Sequence, residues 1–87
     1  MTSAPPSLDE LRREIDEIDD AVHDLLMRRA EVVERVGTAK AGTVSLRPAR
    51  EALIMRRLLS RHKGPFSRAV LVRIWREILS ASVRLQG

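Results

Sequence analysis

Arg29 and Lys40 are the two residues of this 87-residue chain whose type and placement most suggest chemistry. From Leu8 onward, apolar residues recur in heptad steps at Leu8, Leu11, Ile15, Ile18, Val22, Leu25, Val32, Val36 and Ala39, and Arg29 takes the position where the next apolar residue was due. A guanidinium buried in a helix interface costs on the order of several kcal/mol unless an anion meets it, so this seam asks for an anion. Lys40 follows eleven residues later. At 100° per residue that returns to within about 20° of the same direction with an axial gap of roughly 16 Å, so both cations could reach one small anion between them. Lys40 also complements the negative end of a helix dipole, a role that needs no ligand.

Three further groups could join such a site. Ser82 and Gln86 are polar where a buried helical face might continue, and their spacing of four stacks them on one side of the helix; near a chain end, the same pattern also describes ordinary solvation. Arg50 and Glu51 follow the loop after Lys40 and could bring a cation and a carboxylate to it, although on their own they read as surface residues of a first turn. Arg12 shares its heptad position with Lys40, but 28 residues of helix place the two roughly 42 Å apart, so they serve different sites of one chain. Two such helices lying antiparallel across a two-fold axis would bring Arg12 of one chain towards Arg29 and Lys40 of the other.

Composition narrows the chemistry. There is no cysteine, and two separated histidines, His23 and His62, read as solvent-facing helix residues, so neither a thiol nucleophile nor a metal site is expected. Phe66 and Trp75 are the only aromatic residues, which leaves little for base stacking. The net charge of +4 is uneven: residues 1–40 carry −4 and residues 41–87 carry +8. A basic tail for nucleic acid and a basic half packed against an acidic helix both fit that asymmetry. No stretch approaches the roughly 20 apolar residues of a membrane span, and the N-terminus lacks the basic start and apolar run of a signal peptide. A cytoplasmic protein without membrane or nucleic-acid partners is the expectation.

The elements that must position these residues are all helices. Pro5 and Pro6 close a disordered lead over residues 1–7. Ser7 and Glu10 form a capping box that starts the first helix at Leu8, and it ends around Ala41 with Gly42 as a left-handed cap. That is about 33 residues and roughly 50 Å, too long for the rest of an 87-residue chain to cover, so a second chain is expected along it. Arg47-Pro48 opens a second helix with a stripe of Leu53, Ile54, Met55, Leu58 and Leu59, which ends near His62 before Lys63-Gly64-Pro65. Ser67 caps a third, with Phe66 and Leu71 placed as a hydrophobic staple and a stripe of Leu71, Ile74, Trp75, Ile78 and Leu79. Residues 8–87 thus read as one helical domain.

Taken in order, Leu11-Arg12-Arg13-Glu14-Ile15-Asp16-Glu17-Ile18-Asp19, Leu25-Leu26-Met27-Arg28-Arg29, Val36-Gly37-Thr38-Ala39-Lys40, Arg47-Pro48-Ala49-Arg50-Glu51 and a terminal Ser82 and Gln86 resemble the all-helical chorismate mutase family. The resemblance covers nearly the whole chain, and the ordered set of Arg, Arg, Lys, Arg-Glu and Ser-x-x-x-Gln is its specific part. It implies three helices intertwined with those of a second, identical chain, with each active site taking one arginine from the partner. Arg12 of the partner and Arg29 would hold the two carboxylates of the dianion, with Ser82 assisting. Lys40 and Gln86 would bond the ether oxygen, Glu51 would accept from the ring hydroxyl, and Arg50 would support from behind. Arg47 stands where some members carry an aspartate, and the loop after Lys40 is shorter than in those members, which bears on the hydroxyl contacts.

Rearranging chorismate to prephenate breaks a C–O bond and makes a C–C bond in one pericyclic step. It needs no nucleophile, metal or cofactor, only cations and donors that hold a compact dianion and stabilise charge on the departing oxygen. A lyase of the same fold that removes pyruvate from isochorismate would use nearly the same site. An arginine-rich module binding nucleic acid through residues 47–84 is the alternative from another class, with no motif in its favour.

Overall fold

The computed structural model describes residues 4–39 and 48–86. Three α-helices follow one another: α1 over Leu8–Ala39, α2 over Pro48–Arg61 and α3 over Arg68–Leu85. Among the described residues there is no strand. The expected Gly42 cap, the loop from Thr43 to Leu46, Arg47 and Lys40 lie outside the described residues. The chain divides into two compact units, residues 1–31 and 32–87.

In the first unit Ala4 to Ser7 have no regular structure, and α1 begins at its capping serine. The Glu10 backbone N–H donates to Ser7 Oγ at 3.1 Å, satisfying a donor that a helix start otherwise leaves orphaned, and the Leu11 N–H makes the first bond of the helix, to the Ser7 carbonyl at 3.0 Å. Asp9 and Glu10 place negative charge at the positive end of the dipole. No residue of α1 is buried: the seam residues from Leu8 to Leu25 are between 41% and 61% exposed.

In the second unit α2 packs against α3, and Ile54 and Leu79 are its buried apolar residues. The expected stripes prove too wide. Leu53 is 53% exposed and Ile74 is 43% exposed, because Leu53, Ile54 and Met55 are consecutive and cannot share one face, and Ile74 lies beside Trp75 at the margin of its own.

The turn between α2 and α3 holds together by local bonds. Gly64 has φ of +133°, open to glycine and strained for other residues. His62 donates from Nε2 to the Phe66 carbonyl at 2.6 Å, and Arg68 donates from Nη1 to the Leu59 carbonyl at 3.4 Å. His62 is thus half-buried and spans the turn, where a solvent-facing residue was expected. Ser67 caps α3, its Oγ accepting from the Val70 N–H at 3.2 Å. Phe66 is 59% exposed, so the staple it was expected to form covers little of it.

Candidate active site

The expected site residues fall into two groups. Arg12 and Arg29 belong to the first unit: Arg12 is exposed, and Arg29 is half-buried along with Leu26 and Ala30. The exposed seam and the covered stripe of α1 therefore differ by one residue, and Arg29 lies where they meet.

Arg50, Glu51, Ser82 and Gln86 belong to the second unit. Arg50 is exposed and Glu51 half-buried in the first turn of α2. Ser82 is 8% exposed, and its Oγ donates to the Ile78 carbonyl at 2.7 Å. That burial sets Ser82 apart from a solvated helix end, which would leave a serine in water.

Gln86 forms the C-cap of α3, its backbone N–H donating to the Val83 carbonyl at 3.2 Å. Its side-chain Oε1 is enclosed and has no hydrogen-bond partner among the described residues. Leaving such a group unsatisfied typically costs about 1–3 kcal/mol, so a folded chain keeps one where something else is meant to meet it. Since the terminal torsion of glutamine is broad and two-fold, a half turn places the NH2 group there instead. The enclosed position can serve as acceptor or donor.

The last turns of α1 reach the same place. A Cβ on Gly37 would stand 2.9 Å from Gln86 Cα, 3.0 Å from its carbonyl oxygen and 3.3 Å from its carbonyl carbon, all backbone atoms. Glycine in a helix interior is less stable than alanine by roughly 0.5–1 kcal/mol, so the close approach to Gln86 is what this glycine supplies. In the sequence Gly37 stands within the Val36-Gly37-Thr38-Ala39-Lys40 segment with no role of its own. The signal was available, because a glycine inside an otherwise glycine-free helix costs stability and needs a reason.

A groove of about 590 Å³ lies between α2 and α3, walled by Glu51, Met55, Arg76, Leu79, Val83 and Arg84 among others. Arg76, Ser80 and Arg84 recur every four residues and share its α3 side, a spacing visible in the sequence but not singled out. Ser80 and Ser82 lie about 160° apart around the helix, as do Arg84 and Gln86, so this groove and the Ser82–Gln86 face are on different sides of α3. Glu51 lines the groove; Ser82 and Gln86 do not. The structure therefore brings Gly37 against Gln86, sets Ser82 one turn before Gln86 along the same helix, and places Glu51 on a separate wall of the helix pair. No cluster of three or more His, Cys, Asp or Glu side chains among the described residues could hold a metal ion.

Residues 11–87 match the family described as chorismate mutase type II. The chain belongs to that family. It is 40% identical over 85 residues to a bifunctional chorismate mutase/prephenate dehydratase of Aquifex aeolicus, an alignment covering 91% of this chain and 24% of the relative. With the enzyme of the same description from Stutzerimonas stutzeri it is 31% identical over 91 residues, 97% of this chain and 25% of the relative. The chain thus spans about a quarter of the length of these bifunctional relatives. It is also 38% identical over 58 residues to an intracellular chorismate mutase of Mycolicibacterium smegmatis, covering 64% of this chain and 56% of that one. Among solved structures, chorismate mutase from Helicobacter pylori in complex with prephenate superposes with a TM-score of 0.83 and 30% identity, over 91% of this chain and 88% of that chain. As in the reading above, the chain is all-α with a long first helix; no helix among the described residues is long and apolar enough to cross a membrane.

Proposed function

We propose that this chain is a chorismate mutase that rearranges chorismate to prephenate in the cytoplasm, as a homodimer and without a cofactor. The observation that carries the reading is the enclosed side-chain oxygen of Gln86, without a hydrogen-bond partner among the described residues and one helical turn after buried Ser82, in a member of this family. A single-step rearrangement asks for such a position: one neutral hydrogen-bonding group held ready where a substrate atom will arrive.

In this reading Arg29 and Arg12 of the partner grip the two carboxylates, whose planar oxygens suit the guanidinium fork, and Ser82 assists at one of them. Lys40, next in sequence after Ala39, and Gln86 meet the ether oxygen as the C–O bond lengthens. A compact ammonium concentrates its charge on one atom, which is where negative charge grows. Glu51 accepts from the ring hydroxyl and Arg50 supports it; both open α2, and Glu51 is half-buried there. The exposed seam of α1 supports the dimer, since such a stripe is stable in water only when another surface covers it.

Turnover tests this directly. Purified protein should consume chorismate, followed by its absorbance, and yield prephenate; release of pyruvate from isochorismate with chorismate untouched would instead identify the lyase. Lys40→Ala should lower kcat by about 10²–10³, the usual cost of one preorganised donor at a developing oxyanion, with a smaller change in KM. Gln86→Glu should be active in acid and fade as pH rises through the carboxyl pKa, because a glutamate donates only when protonated. An unchanged pH profile would rule out Gln86 as the donor.

A further inference from the structure

We propose that Gly37 is a positioning residue of this site, whose missing side chain lets the end of α1 lie against the backbone of Gln86 and so sets where the Gln86 carboxamide stands. The inference rests on the reading of Gln86 given above and adds a residue that touches no substrate. Its warrant is the contact itself. The three atoms a Cβ would meet are the Cα, carbonyl carbon and carbonyl oxygen of Gln86, none of which can move without carrying the Gln86 side chain along. Real Cβ atoms essentially never approach backbone as closely as 2.9 Å, so any larger residue at 37 pushes the C-cap of α3 away from α1. The cap lies past the regular helix, since α3 ends one residue earlier at Leu85 and the Gln86 backbone N–H donates back to the Arg84 and Val83 carbonyls. In the sequence Lys40, the other group assigned to the ether oxygen, follows Gly37 by three residues.

Displacing a donor by an ångström or so is enough to cost catalysis without costing the fold. Alanine also favours helix more than glycine does, so the substitution aids α1 locally while it spoils the approach to α3. A structural role and a positioning role thus predict opposite balances. If Gly37 mattered only to folding, its replacement would lower stability and leave the kcat of the folded fraction alone.

The test is a double-mutant cycle on the full 87-residue chain, assayed with chorismate. Gly37→Ala should lower kcat by about tenfold to a hundredfold, the scale of an ångström's misplacement, with KM changed by much less. In a Gln86→Ala background the same substitution should change kcat by less than about twofold, since the side chain it displaces is gone. Equal losses in both backgrounds, or no loss in either, would overturn the proposal. A wild-type chain that leaves chorismate untouched would instead remove the reading on which it rests, and the two failures are told apart by the wild-type assay alone.

A second measurement covers the case in which Gly37→Ala does not fold. Gln86 carries the only side-chain carboxamide of the chain, which has no asparagine and no other glutamine, so a ¹⁵N-labelled sample gives one side-chain NH2 pair. On the unsubstituted protein a nuclear Overhauser contact should join the Gly37 and Gln86 α-protons, and the NH2 pair should shift when prephenate is added. Absence of the α-proton contact would overturn the proposal without any variant.

Discussion

The two units of this chain hold their apolar residues in opposite ways. In the second, Ile54 and Leu79 are buried where α2 meets α3, with 7% and 6% of their surface exposed. In the first, six large apolar residues from Leu8 to Leu25 remain 41–61% exposed along α1. Both stripes follow the same helical period, so sequence pattern alone does not distinguish a face covered by its own chain from one that waits for another. The difference lies in what is available to cover it. A helix of 32 residues outruns companions of 14 and 18.

Magnitudes sharpen the contrast. Full burial of a side chain of this size is worth about 1.5–3 kcal/mol, so covering the remaining half of the seam on two copies gains on the order of 10 kcal/mol. Association itself costs roughly 4–15 kcal/mol. The gain and the cost are of the same order, so the proposed dimer should be sensitive to a single charge in the seam.

The largest effect is expected there. Ile18→Asp puts a carboxylate in the middle of the seam and should abolish the dimer at micromolar concentration by light scattering, and activity with it; an active dimer would mean that the exposed stripe of α1 is not the interface. Next comes the opposite region, where Leu79→Ala should cost about 2–4 kcal/mol as a core truncation. That loss should appear in denaturant melts as a lower midpoint. A loss under about 0.5 kcal/mol would show that α2 and α3 do not depend on each other for stability.

The same comparison explains what could be read in advance. Helix starts were legible at Ser7 and Ser67, because a serine oxygen facing the N–H three residues on is a purely local arrangement. So was the break at Gly64, whose positive φ few other residues tolerate. Leu53 and Ile74 were assigned to buried stripes they only border, since periodicity fixes a direction to within about one residue and burial depends on the neighbour. Ser82 could not be told from a solvated end until its burial was known. Gly37 shows in the sequence only as a costly glycine within a helix; its partner, the backbone of a residue 49 positions away, is not encoded by any local pattern.

In the proposed dimer each active site draws on two chains, and subunit mixing reads this out. Arg12→Ala and Arg29→Ala proteins, each expected to be nearly inactive, are unfolded together and refolded at equal concentration. A mixed dimer then has one site with both arginines and one with neither. Random pairing makes about half the dimers mixed, so activity should return to about a quarter of the unsubstituted level under two-fold symmetry. If mixed dimers form, as a tagged chain would show, and no activity returns, Arg12 does not cross between chains and the shared site is wrong.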